Sequence, residues 1–182
     1  MKVVSIVGMA GAGKSEVARL FEEKGFTRIR FGSITDHEIV RRGLGLSEKN
    51  ERQIREELRR EHGMAAYAKL NLPAIEVALK NGPVVIDGLY SWEEYLFLKE
   101  RFGANFAVVA VWASPKTRYH RLARRRERPL TPEDAACRDK AELENVNKGA
   151  PIAMADLTVA NESSIEELKE KVARVLERIF DE

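Results

Sequence analysis

An α/β domain in three layers, with a parallel sheet of about five strands between two layers of helices, is the fold class this sequence predicts. Three observations carry the prediction. Residues 3–7, 84–86 and 106–112 are apolar runs with little polar alternation, the pattern of strands buried on both faces. Between them the apolar period switches to that of helices. Gly and Pro punctuate the changeovers, as at Gly25 and Asn81-Gly82-Pro83.

The elements follow in order. Residues 2–7 read as a strand, and a Gly-rich turn leads into a helix from Lys14 to Glu23 that buries Val17, Ala18, Leu20 and Phe21. Gly25 stops it, and Thr27–Phe31 is a second strand. Residues 33–81 are helical and polar, interrupted at Gly43, Gly45 and Gly63, with Ser47 as a cap and Pro73 expected to kink the last helix. Val84–Ile86 is a third strand ending at Asp87, and Ser91 with Glu94 forms a capping box for helix 92–102. Phe106–Trp112 is the fourth strand. Ser114-Pro115 and Thr131-Pro132 each place an N-cap before an N1 proline, opening a basic helix and a helix over 132–147. Leu157–Val159 is a last short strand, and the final helix carries Ile165, Leu168, Val172, Val175, Leu176 and Ile179 on one face. With 182 residues, no repeat and no linker, the chain reads as a single domain over 1–182.

Composition narrows the function. A net charge of +2 argues against a polyanionic partner, and the basic segment lacks the aromatic interleaving of a nucleic-acid module. One cysteine, Cys137, forms no internal disulfide, and His37, His62 and His120 share no metal-ligand spacing with it. No run reaches the ~20 apolar residues that span a bilayer, and the N-terminal apolar run is too short for a signal segment. A cytoplasmic protein is the expectation.

Gly8-Met9-Ala10-Gly11-Ala12-Gly13-Lys14-Ser15 fits G-x-x-x-x-G-K-[ST] between an apolar strand and an amphipathic helix. The glycines let consecutive N–H groups point inward at phosphate oxygens, and the helix beginning at Lys14 adds its positive end. Lys14 carries charge to the β- and γ-phosphates, and the Ser15 hydroxyl can ligate Mg²⁺. Asp87, at the carboxyl edge of the sheet, is the candidate carboxylate for that metal. The implied cofactors are ATP and Mg²⁺.

A second cluster lies between Lys116 and Arg128, where Arg118, Arg121, Arg124, Arg125, Arg126 and Arg128 are opposed only by Glu127. Arg118, Arg121 and Arg125 fall at i, i+3 and i+7, so one helix face is expected to carry aligned guanidinium groups. Guanidinium groups pair bidentately with phosphate and stabilise charge on a transferred phosphoryl group.

On these residues the chain resembles the P-loop small-molecule kinases: nucleoside monophosphate kinases and, more closely, a branch of dephospho-coenzyme A kinase-like proteins. Gly8–Ser15 followed by Glu16-Val17-Ala18 is similar to both, and Ile86-Asp87-Gly88 resembles the Asp-Gly of the monophosphate kinases. Arg121-Leu122-x-x-Arg125 resembles the start of their lid, and Leu130-Thr131-x-Glu133-Asp134-Ala135-x-x-Arg138 resembles the lid helix of dephospho-coenzyme A kinases. Ala155-Asp156, Val159 and Asn161 resemble their last strand and the loop beside adenine.

The resemblance implies a P-loop NTPase fold with a helical acceptor-side segment (33–81) and an arginine-rich lid (115–147). It implies nucleotide binding by Gly8, Ala10, Gly11, Ala12, Gly13, Lys14, Ser15, Glu16, Arg121 and Asn161, metal binding by Ser15 and Asp87, and catalysis by Lys14, Arg121, Arg125 and Arg138.

The acceptor side departs from both families. Phe31-Gly32-Ser33 stands where dephospho-coenzyme A kinases carry an acidic residue, so Asp36 is the nearest carboxylate. Leu89-Tyr90-Ser91 stands where monophosphate kinases carry an arginine. Asp36, Arg41 and Tyr90 are the acceptor candidates, with Arg55 and Arg59 also within reach. The expected partner is a small acceptor, a nucleoside monophosphate or dephospho-coenzyme A. A nucleotide-responsive regulatory protein with weak ATPase activity and no small-molecule acceptor is the alternative.

Overall fold

The computed structural model describes residues 2–126 and 128–181. Five strands, β1 (Val3–Val7), β2 (Thr27–Arg30), β3 (Val84–Asp87), β4 (Phe106–Trp112) and β5 (Leu157–Ala160), form one sheet in the order β2-β3-β1-β4-β5. Every pairing is parallel, with Val3 opposite Val84 on one side and Phe106 on the other. Central β1 is buried at all five positions, as its unbroken apolar character requires.

Alternate β1 residues feed two cores. Val3 and Val7 join Val84, Ile86, Phe106 and Val108 beneath α2 (Ser33–Arg41), α3 (Glu48–His62), α4 (Ala66–Leu79) and α5 (Trp92–Phe102). Val4 and Ile6 join Val85, Val109 and Val111 against α1 (Lys14–Glu22) and α9 (Ile165–Asp181). Each fully buried Val, Leu or Ile contributes about 1.5–3 kcal/mol, so the sheet holds its shape through both faces at once.

α4 runs on through Pro73, with Tyr67 and Asn71 buried before the proline and Ile75 after it. One element departs from the sequence-based expectations. The helix expected over 132–147 ends at Glu144, and an unpredicted short helix, α8 (Gly149–Ala153), follows. Helix α3, charged almost all round in sequence, buries Ile54 and Leu58. Ser91 caps α5 as expected: its Oγ accepts from Glu94 N–H at 3.1 Å, and the Glu94 carboxylate accepts from Tyr90 N–H at 2.8 Å. No helix among the described residues is long and apolar enough to cross a membrane.

Candidate functional site at the carboxyl edge of the sheet

The loop after β1 adopts a backbone that only glycine tolerates at two critical points. Gly8 has φ +147°, and a Cβ there would lie 2.3 Å from the Val111 carbonyl oxygen. Gly13, with φ +99°, caps α1, and a Cβ there would lie 2.3 Å from Asn161 Nδ2. Having no side chain, Gly13 leaves the first N–H groups of α1 without a side-chain acceptor, the arrangement that receives an anion. The cradle therefore fits a phosphate chain.

Lys14 bends back so that Nζ donates to Met9 O at 3.1 Å. Burial first, and Lys148 second, pull its pKa down to about 7. Ser15 Oγ donates to Asp87 Oδ1 at 3.4 Å, which puts a hydroxyl and a carboxylate oxygen side by side, the oxygen donor chemistry Mg²⁺ takes. Asp87 is 4% exposed, and its second oxygen accepts from Arg28 at 2.5 Å. Among the described residues no cluster of three or more His, Cys, Asp or Glu forms a self-sufficient metal site. A metal held here would draw further ligands from a nucleotide and from water.

Two cavities meet at this edge. The smaller, of about 130 Å³, is lined by Lys14, Ser15, Asp87, Arg125, Arg138 and Lys148, among others. The larger, of about 940 Å³, opens between α3 and α7 (Pro132–Glu144) over Tyr67 and Tyr90. Arg30, Tyr90, Arg125, Arg138, Glu142 and Lys148 line both.

The arginine segment is arranged differently from the expected stripe. Helix α6 (Pro115–Ala123) stops before Arg125: the chain folds back so that Leu130 N–H reaches the Leu122 carbonyl at 3.2 Å. Arg118 consequently shares no surface with Arg125. It is 4% exposed and forms a fork with both Asp139 oxygens at 2.9 and 2.6 Å, while also donating to Ala10 O and Ala113 O. It holds α7 to the phosphate loop. Arg121 lines neither cavity and lies by Asn161, with Nη2 3.5 Å from Oδ1. Asn161 in turn donates to Ala12 O at 2.8 Å. Glu127, the one acid expected in this run, lies outside the described residues.

Of the acceptor candidates, Tyr90 lines both cavities, and burial raises its hydroxyl pKa well above the ordinary tyrosine value. Asp36 lines only the larger cavity and is engaged by Arg30. Arg41 stands apart from the other candidates: its side chain is 67% exposed, pairs with Glu38 one helical turn away, and lies outside both cavities. Arg55 and Arg59 do reach the larger cavity. Arg55 is paired with Glu48 at 2.6 Å, and the Arg59 guanidinium lies 5.6 Å from the Tyr67 ring centroid.

Sequence reasoning missed Arg28, Glu142 and Lys148. Arg28 lies on edge strand β2 opposite Val85, two register positions short of Asp87, and its diagonal contact with that carboxylate is one that no local pattern encodes. Glu142 and Lys148 join through a 2.8 Å hydrogen bond. Despite its burial, the Glu142 carboxyl is held far below its ordinary pKa by Lys148, Arg138 and Lys14. The signal for Glu142 was one turn of spacing from Arg138 on α7; Lys148 carried none.

Residues 4–145 match the model of a family described as an AAA domain. The UPF0200 protein of Thermococcus gammatolerans is 38% identical over 98% of this chain and 95% of its own length. That of Sulfurisphaera tokodaii is 36% identical over 99% and 98%. Among solved structures, a shikimate kinase from Bacteroides thetaiotaomicron superposes with a TM-score of 0.62 at 14% identity, covering 98% of both chains. A gluconokinase from Sinorhizobium meliloti gives 0.61 at 17%, covering 98% and 95%. A dephospho-CoA kinase from Campylobacter jejuni gives 0.58 at 15%, covering 98% of both chains. At these identities the likeness is one of fold, the α/β fold of P-loop kinases.

Proposed function

The chain belongs to the UPF0200 family and carries an AAA domain over residues 4–145, and from that premise we propose that it transfers the γ-phosphoryl group of ATP, with Mg²⁺, to a small nucleotide-like acceptor. One observation carries the reading: the phosphate-loop cavity shares a wall with a second cavity of about 940 Å³. A nucleotide switch has no use for that second space, whereas a transferase needs two substrates to meet in line.

In this reading residues 1–182 act as one catalytic domain, with 33–81 as the acceptor arm and 115–147 as the lid. The glycine loop and Lys14 hold the phosphate chain, and Ser15 and Asp87 hold the metal. Bound MgATP supplies the phosphoryl donor and the metal's neutralising charge. Arg125 and Arg138 stand in the shared wall, where they stabilise charge on the moving group. Arg121 and Asn161 line neither cavity, and Asn161 holds the loop at the Ala12 carbonyl, a position suited to the nucleoside end of ATP.

The larger cavity defines the acceptor class. Its size exceeds what a simple sugar acid fills, and Arg52, Arg55, Arg59, Arg60 and Arg128 line it together with Tyr67, Met64 and Val146. Arginines amid aromatic and aliphatic surface recognise a base or other flat group attached to phosphate. Nucleoside monophosphates and dephospho-coenzyme A both have that chemistry. Incubation with γ-labelled ATP, Mg²⁺ and each of these acceptors tests the reading. Label should pass to one of them, and Lys14→Ala should abolish the transfer. ATP binding without transfer to any of them would overturn it.

A further inference from the structure

Lys148 stands in the turn between α7 and α8, outside both the phosphate loop and the arginine segment. Its side chain is 2% exposed; Nζ donates to Glu142 Oε2 at 2.8 Å and lies 5.4 Å from the centroid of the Tyr90 ring. A buried ion pair is a poor stabilising device, because desolvation of two charges cancels most of their attraction. An ammonium also carries three N–H donors, and among the described residues Glu142 is the one hydrogen-bond acceptor that Nζ meets. Packing alone therefore gives little reason for a lysine here.

Its position does. Lys14 lines only the smaller cavity, whereas Lys148 lines both and is the one lysine in their shared wall. The smaller cavity is lined by five basic side chains, Lys14, Arg30, Arg125, Arg138 and Lys148, against the carboxylates of Asp87 and Glu142, an excess of three positive charges when Lys14 is protonated. So small and sheltered a space with that imbalance is complementary to a multiply charged anion. The two lysines already repel one another, since Lys148 is the largest charge effect lowering the Lys14 pKa. An anion between them turns that repulsion into attraction.

Resting on the phosphoryl-transfer reading above, we propose that Lys148 is a second lysine of the phosphoryl site, contacting γ-phosphate oxygens where the donor and acceptor cavities meet. Lys14 grips the phosphate chain from the loop side, and Lys148 meets its terminal group from the acceptor side. Glu142 and the Tyr90 ring keep the ammonium in place before nucleotide arrives. A cation so placed separates nucleoside triphosphate from diphosphate, because the γ-phosphate is the part it touches.

The test is calorimetric titration of the whole protein with ADP and with β,γ-imido ATP, both in Mg²⁺. In Lys148→Met and Lys148→Gln the preference for the imido triphosphate over ADP should fall about tenfold, the value of one charge-assisted contact, with ADP affinity kept. Glu142→Gln, which releases the lysine but leaves its charge, should retain the preference. An unchanged preference in folded Lys148 variants overturns the proposal, as does an equal loss in Glu142→Gln. If neither single variant at 148 melts cooperatively, the double variant Lys148→Met/Glu142→Gln replaces the pair by neutral groups, and its preference decides in the same way. Failure of the wild-type protein to bind either nucleotide would sink the phosphoryl-transfer reading itself, a result distinct from binding both while Lys148 is indifferent.

Discussion

Arg118 and Asp139 form a buried two-pronged ion pair, at 2.9 and 2.6 Å, that fastens α6 to α7 directly behind the phosphate loop. Tyr119 adds a hydrogen bond to the same carboxylate at 3.0 Å. Arg118 also donates to the Ala10 carbonyl, so α7 and the phosphate loop share one anchor. The arginine run thus divides its labour, with Arg118 building the site and Arg125 facing into it.

Removing one partner of that pair leaves the other charge buried and uncompensated. Asp139→Ala should cost about 3–5 kcal/mol of stability, measured by urea denaturation. The double variant Arg118→Met/Asp139→Leu should recover most of the loss, because no charge is then stranded. Recovery of none would mean that the fork contributes more than its charges.

Gly8→Ala would place a methyl group 2.3 Å from the Val111 carbonyl oxygen at φ +147°. The obstacle is backbone of a central strand, which cannot swing aside. A destabilisation of about 2 kcal/mol or more should accompany loss of ATP binding, read by thermal melting with and without nucleotide. Gly25→Ala meets no neighbouring atom within 4 Å but shares a positive φ, so it should show a smaller loss of stability and unchanged binding.

Glu94 is wholly buried beneath Tyr90, and burial raises its carboxyl pKa from 4.5 to about 7, against the nearby charges of Arg59 and Lys148. A folded-state pKa above the unfolded one stabilises below the unfolded value, and that contribution is lost as pH rises through the folded value. The difference in unfolding free energy between wild type and Glu94→Gln should therefore move against wild type from pH 4.5 to 7, by on the order of 3 kcal/mol. Denaturation at a series of pH values checks this. Glutamine can still accept from Tyr90 N–H and keep the cap, so a difference independent of pH would show that Glu94 ionises as an ordinary surface carboxylate does.

Arg125 and Arg41 separate the interior of the site from its exterior. Arg125 lines both cavities and has Arg138 and Arg128 as its charged neighbours, whereas Arg41 lies outside with Glu38. Arg125→Ala should lower kcat about a hundredfold while ATP affinity changes far less, and Arg41→Ala should leave both within about twofold. Steady-state kinetics on the acceptor found by labelled-ATP transfer, with calorimetry for ATP, distinguishes them. Equal effects would show that charge alone matters and geometry does not.

Legibility in the sequence followed the distance over which each feature is encoded. The eight residues from Gly8 to Ser15 are contiguous, and each has a backbone or charge requirement that its own type reveals. The parallel sheet was visible because strands buried on both faces tolerate no polar alternation, as in β1 and β4. The caps at Ser91, Ser114 and Thr131 were visible because each hydrogen-bonds only three residues away. The arginine stripe was misread because a period of 3.6 assumes an unbroken helix, and the reversal after Ala123 depends on Leu122 meeting Leu130 and Ala135 in a small core of their own.

By itself, then, the sequence determined the α/β fold and the phosphate cradle, because those rest on local backbone preference and on apolar patterning. Only the tertiary structure decided which charges face the two cavities. Arg118 and Arg41 lie outside them, while Arg30, Glu142 and Lys148 were brought in from separate segments. A charged side chain carries no local mark of what it will face: its partner, its burial and its pKa all come from residues that folding alone brings near.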